Sequence, residues 1–259
     1  MWKSTVSDPY FYYINRRRIS RNFEKFEKYP QFRFFLLQNA RKSRSQYFQD
    51  LFVQFMYVSH FVSDSNFEEN GHYFVEFGAT DGINISNTFF LENHHRWKGL
   101  LAEPARMWHS HLKRNRKCDL DFRCVFSSSG MKLDFFESFI GSLSTLKQFS
   151  QADFSGTRGF KSKYLVETTS LDDLLIDHHS PQYISYLSLD TEGSEYEILR
   201  NFPFHKWNIG VITVEHNFSP NRILLQELLL RNGFEQVFSE ISECDDWFVN
   251  SMFFQISHE

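Results

Sequence analysis

The chain has 259 residues, 31 of them phenylalanine, with 28 Lys and Arg against 32 Asp and Glu for a net charge of −4. That length suits one large α/β domain, or a domain with an appendage, and its core is large enough to be self-sufficient. Three cysteines without a CxxC pair argue against a disulfide framework or zinc site, and no apolar run reaches the roughly 18 residues of a membrane-spanning helix.

The charge is uneven. Residues 1–45 hold 11 Lys and Arg against 3 Asp and Glu, a balance of +8, so the remainder holds 17 against 29, a balance of −12. Arg16-Arg17-Arg18 with Arg21, then Arg41-Lys42-Ser43-Arg44, form a basic segment suited to an anionic surface or to docking on an acidic body. No apolar signal core follows Met1, and the expected location is cytoplasmic. Helices are expected at 21–26 and 32–40, and a better one over 45–56, where apolar residues fall at 48, 51, 52, 55 and 56. Residues 1–70 thus read as a mainly helical, basic extension and 71–259 as the main domain.

Beyond Gly71, strand and helix patterns alternate. The strand 72–77 ends in Glu76 and a turn, Gly78-Ala79-Thr80-Asp81-Gly82, that opens into a predicted helix over 84–94. A strand, turn and helix of this kind aim backbone N–H groups at one spot beyond the sheet edge. The turn lacks the full G-x-G-x-x-G pattern, and Asp81 would repel a pyrophosphate. Glu76 and Asp81 instead favour a cofactor with a positive centre, such as the sulfonium and ammonium of S-adenosylmethionine. The next strand, 98–102, closes on Glu103, a little over 20 residues after the turn, where a carboxylate accepts a ribose diol.

A helix at 105–115 and strands at 121–126 and 132–137 follow. The Ser, Gly and Thr-rich stretch 139–163 breaks the rhythm and reads as a functional loop or a disordered one. After a strand at 164–168 and a helix at 170–178, the apolar strand 183–189 delivers Asp190 to its carboxyl end. Glu192, Gly193, Ser194 and Glu195 then open a helix at 194–201. The strand 210–215 ends in Glu215-His216-Asn217. His216 is a candidate proton acceptor, and Asp190, Glu215 and His216 together suit a hard divalent ion such as Mg²⁺. A helix at 220–232 and strands at 234–240 and 247–255 complete the chain; Asp245-Asp246 carries no assigned role. This alternation predicts a mostly parallel sheet covered on both faces.

Several of these stretches together resemble the FkbM-type S-adenosylmethionine-dependent methyltransferases. They are Ser45-Gln46 with Gln49-Asp50, residues 74–82 with Ser86-Asn87-Thr88, Trp97-Lys98-Gly99 with Glu103-Pro104, residues 190–195, Val214-Glu215-His216-Asn217, and Asp245-Asp246-Trp247. The resemblance implies a class I methyltransferase fold, α/β with a Rossmann-like seven-stranded sheet whose last strand is antiparallel. It implies methyl transfer to a hydroxyl, often of a sugar in a glycan, glycolipid or glycosylated metabolite. On this reading Glu76, Gly78, Asp81 and Gly82 hold the methionine end of the cofactor, Ser86 is a further cofactor contact, Glu103 holds the ribose, and residues near Ser127 flank the adenine. Asp190 or His216 takes the hydroxyl proton, with Mg²⁺ as an optional aid, and the loop 139–163 and helix 45–56 close over the acceptor. The alternatives are a nucleotide-binding oxidoreductase and a non-catalytic binding module on the same fold.

Overall fold

In the computed structural model the described residues are 23–61, 71–139, 141–150 and 159–255. The Arg16–Arg18 cluster, Arg21 and the middle of the 139–163 stretch lie outside them. Three helices come first: α1 (Phe23–Glu27), α2 (Pro30–Asn39) and α3 (Gln49–Ser59). Then follow β1 (Tyr73–Phe77), α4 (Phe89–His95), β2 (Lys98–Ala102), α5 (Arg106–Asn115), β3 (Asp119–Asp121), β4 (Cys124–Phe126), β5 (Lys132–Ser138), β6 (Thr145–Leu146) and β7 (Phe160–Ser170). The last third holds α6 (Leu171–Asp177), β8 (Tyr183–Leu189), α7 (Glu195–Leu199), β9 (Asn208–Glu215), α8 (Asn221–Arg231), β10 (Phe234–Val237) and β11 (Asp245–Asn250).

The fold is mixed α/β around a seven-stranded sheet of order β10-β11-β9-β8-β1-β2-β3, consistent with a methyltransferase-like fold. β11 pairs antiparallel with β9 and β10, and the pairings from β9 across to β3 are parallel. The central strands are buried on both faces, which is why they read as predominantly apolar runs. Side chains alternate between two layers. Phe74, Tyr186, Val211 and Trp247 pack with Phe32, Leu36 and Phe52 of α2 and α3. Val75, Leu187, Ile212 and Phe248 pack on the other face with Leu174, Leu199 and Leu225 of α6, α7 and α8.

Register aligns the strand ends. Phe77 pairs with Leu189, and Leu189 with Val214, so the residues after β1 and β8 and at the end of β9 share one sheet edge. The predicted helix over 84–94 begins only at Phe89, because residues 86–88 are drawn to the carboxylate of Glu76 instead. The predicted strand 121–126 divides into β3 and β4, which belong to different sheets. Asp121 turns the chain there by accepting the N–H of Arg123 at 2.8 Å and gripping its guanidinium. The second sheet, of order β4-β7-β5-β6, is not expected from the sequence as a separate sheet, although strands are expected at 132–137 and 164–168, within β5 and β7. Part of the 139–163 stretch is ordered within it, as β6 with short helical turns at 141–143 and 147–149. No helix among the described residues is long and apolar enough to cross a membrane.

Candidate active site

Two cavities open at the shared sheet edge and have Gly78, Thr80, Ser142, Asp190 and Glu192 in common. The narrower, of about 40 Å³, runs past Glu103 to Cys124 and Val125 of β4 and is walled by Gly141, Ser144 and Leu146. The wider, of about 330 Å³, is bordered by Gln46, Ile85, Leu143, Glu215, Asn217 and Phe218.

Gly78 makes this junction possible. Its φ is +80°, and a Cβ on it would lie 2.0 Å from the backbone oxygen of Asp190, so no side chain fits between the ends of β1 and β8. Glu103, 5% exposed at the end of β2, accepts the N–H of Ala105 at 2.9 Å and that of Thr80 at 3.3 Å. Burial raises its carboxyl to about 7 despite these two donors, and the charges of Glu76 and Glu137 push the same way.

At the other end stand three carboxylates. Asp190, Glu192 and Glu215 offer oxygens that all lie within 4.8 Å of one another. Burial, and then the charge of Glu192, holds the Asp190 carboxyl well above the usual range; burial and Asp190 do the same to Glu215. Glu215 Oε2 is buried without a hydrogen-bond partner. Such a group demands neutralisation, by a shared proton or by a hard cation, for which oxygen donors of this kind are suited.

The remaining predicted residues fall elsewhere. Glu76 is 2% exposed and committed within the fold: it accepts from Ser86 Oγ at 2.9 Å, from the N–H of Asn87 at 2.6 Å and from the Thr88 hydroxyl. Arg116 lies 3.6 Å from it and reaches Ser86 Oγ at 3.0 Å. Asp81 closes its own turn, its Oδ1 accepting the N–H of Ile83 at 2.9 Å and of Asn84 at 2.8 Å. Gly82, at φ +81°, packs where a Cβ would come within 2.9 Å of Leu112 and 2.8 Å of Arg116. Glu76, Asp81, Gly82 and Ser86 therefore shape the loop behind Gly78 and line neither cavity. Ser127 borders a separate depression with Ser129, Ser170 and Asn201, while Cys124 and Val125 just before it face the narrow cavity.

His216 also departs from expectation. Its side chain is fully closed to solvent, Nδ1 accepts the N–H of Phe218 at 3.0 Å, and Nε2 faces Asp246 at 3.7 Å. It borders a third depression beside Glu192 and Glu215 rather than the two cavities that meet at Asp190. Its ring is a fixture of the wall. Glu195, predicted as a helix-start acid, is one: Oε1 accepts the N–H groups of Thr191 and Gly193 at 2.9 and 3.1 Å. Missing from the sequence reading as cavity residues are Thr80, Ile85, Cys124, Val125 and Phe218. Thr80 lies inside the flagged glycine turn, Ile85 directly before Ser86 and Phe218 directly after the Glu-His-Asn cluster, whereas Cys124 and Val125 carry no signal of their own.

A sequence model of the FkbM methyltransferase domain matches residues 76–248, more than half of the chain. The chain belongs to the FkbM methyltransferase family. The matched span begins at Glu76 and includes every residue of the two cavities except Gln46. Of the resemblance noted above, Ser45 to Asp50 precedes it. No match was found among curated proteins.

Proposed function

We propose that this FkbM-family chain is an S-adenosylmethionine-dependent O-methyltransferase acting on a hydroxyl group, with a sugar of a glycan, glycolipid or glycosylated metabolite as the acceptor class. The observation that carries this is the pair of cavities meeting at Gly78 and Asp190, one running to the buried carboxyl of Glu103 and the other to a wall of carboxylates. The sheet order, with β11 as its antiparallel member, supports a class I methyltransferase arrangement. A parallel strand end followed by a glycine turn is where such sheets take nucleoside ligands.

When bound, S-adenosylmethionine supplies the electrophilic methyl group. Glu103 would accept the ribose hydroxyls, Cys124 and Val125 would flank the base, and Gly78 and Thr80 would meet the amino-acid end. Glu76, Asp81, Gly82 and Ser86 serve this by fixing the loop that presents Gly78 and Thr80. The narrow cavity, at about 40 Å³, is far below the roughly 300 Å³ of an ordinary ligand pocket, so its outer wall at 141–146 has to yield on binding. Asp190 would accept the acceptor's proton; holding the hydroxyl in line supplies much of the acceleration. The oxygens of Asp190, Glu192 and Glu215 would hold a divalent cation, whose charge would make the hydroxyl more acidic.

The test is calorimetric titration with S-adenosylhomocysteine, with and without Mg²⁺, alongside hydrogen exchange at residues 141–146. Micromolar or tighter binding with altered exchange in that segment is expected. Absence of binding under both conditions overturns the reading, and identical binding and turnover with and without Mg²⁺ removes the cation from it.

A further inference from the structure

The rim of the wider cavity holds a residue that neither folding nor the chemistry above explains. Phe218 is 60% exposed at the mouth that Asp190 and Glu215 line. Its backbone φ is +54°, and that of Asn217 before it +43°. Asparagine tolerates that region, whereas a bulky aromatic residue there is a true outlier. Nor is the ring put there to complete the core, since most of its surface faces solvent.

The geometry is nonetheless strongly imposed. The N–H of Phe218 donates to His216 Nδ1 at 3.0 Å, and its ring meets the imidazole edge-on at 5.1 Å. The N–H groups of His216 and Asn217 both donate to the Cys244 oxygen, at 2.9 and 3.3 Å, and Ser219 N–H donates to the His216 oxygen at 2.7 Å. His216 is itself wedged against Asp246, whose carboxylate takes Arg222 Nε at 2.9 Å and Nη2 at 2.7 Å and Gln236 Nε2 at 2.7 Å. A buried imidazole, bonded at Nδ1 and lying 3.7 Å from Asp246 at Nε2, thus pins an exposed aromatic ring in a strained backbone at the mouth of an acidic cavity. Strain kept in this way marks sites where a side chain must be aimed.

We propose that Phe218 is the stacking platform for the apolar face of the acceptor's pyranose ring, and that His216 is the residue that positions it. Pyranoses present C–H groups on one face and hydroxyls around the edge. This cavity offers one exposed aromatic ring, with Gln46, Ser142, Asn217 and the three carboxylates to receive the edge. Flat aromatic acceptors call for an apolar slot, whereas seven of the eleven residues lining this cavity carry polar or charged side chains. The inference rests on the methyltransferase reading and names the part of the site that selects the acceptor.

Saturation-transfer NMR with a panel of methyl hexopyranosides, on protein saturated with S-adenosylhomocysteine, tests it. The wild type should bind at least one glycoside; Phe218→Ala should weaken that binding at least tenfold, and Phe218→Trp should keep it within about threefold. His216→Ala should weaken the same glycoside comparably, and His216→Asn, whose side-chain oxygen also accepts the Phe218 N–H, should restore most of it. Affinity for S-adenosylhomocysteine should stay within about twofold throughout. Glycoside binding untouched by Phe218→Ala overturns the platform, as does a wild type that binds S-adenosylhomocysteine but no member of the panel. Wild type that binds no S-adenosylhomocysteine overturns the methyltransferase reading itself, and the platform with it.

Discussion

Glu76 and Glu103 are both acids at the edge of the same sheet, yet their surroundings give them different work. Glu76 meets a guanidinium, two hydroxyls and a backbone N–H, whereas Glu103 meets two backbone N–H groups and no cation. The Glu103 carboxyl therefore sits near 7, against 4.5 in a free chain. Between those values the unfolded chain has released a proton that the folded one keeps, so this residue's contribution to stability falls as pH rises through that window and is level above it. Ribose hydroxyls donate more strongly to the ionised form, which accepts at both oxygens. Affinity for S-adenosylhomocysteine should accordingly climb as pH rises to about 7, by up to about tenfold per unit, and then flatten. Titrations from about pH 5.5 to 8.5 check this, and Glu103→Gln should leave weak, pH-independent binding. A flat wild-type profile would remove Glu103 from the cofactor. From the sequence the two acids look alike, because the partners that divide them come from residues 86–88 and from Arg116.

At the scale of elements, the segment 78–88 departs most from expectation. A helix is expected from residue 84, although Ser86, Asn87 and Thr88 are of types that favour a helix start after them. The chain spends their polar groups on Glu76 instead, and α4 starts only after they are used. Arg116, at the end of α5, closes this knot: its side chain is fully buried, touching Glu92, Ser86 and Thr88 and lying near Glu76. Arg116→Ala would leave two enclosed carboxylates without their cation, and a loss of about 3–5 kcal/mol is expected, the usual cost of breaking a buried pair. Urea unfolding measures it, and binding of S-adenosylhomocysteine should weaken in parallel because the same segment presents Thr80. Stability within about 1 kcal/mol of wild type would show that the knot is not what fixes this loop. The central strands, by contrast, were legible almost to the residue, since burial on both faces writes a predominantly apolar run. The second sheet was legible only in part: the strands expected at 132–137 and 164–168 fall within β5 and β7, but their pairing carried no signal, and β6 is a two-residue pairing that no periodicity can signal.

Across the whole molecule, the described helices of the N-terminal extension, α1 to α3, prove to be part of the core. Charge alone allowed a helical face docked on an acidic body, and such pairs exist, with Lys28 at 2.6 Å from Glu240 and Lys25 at 3.4 Å from Glu243. They are exposed, and exposed pairs contribute little. The holding contact is apolar: Phe52 of α3 stacks on Trp247 of β11 at 4.5 Å and 18°, and Phe32 of α2 meets the same indole edge-on at 6.3 Å. Phenylalanine abundance thus has a concrete meaning, an aromatic layer between α2, α3 and one face of the sheet. Phe52→Ala should cost about 3–5 kcal/mol by leaving a void in that layer, whereas Phe34→Ser, on the exposed side of α2, should change stability by about 0.5 kcal/mol or less. Thermal and urea unfolding of the two variants distinguish the cases. If the helices were a loosely docked appendage, Phe52→Ala would leave the main transition in place. If they are one wall of the core, that transition shifts as a whole. The site follows with it, because Gln49 at the start of α3 donates at 2.7 Å to Asp245, paired in register with Glu215 at the cavity wall.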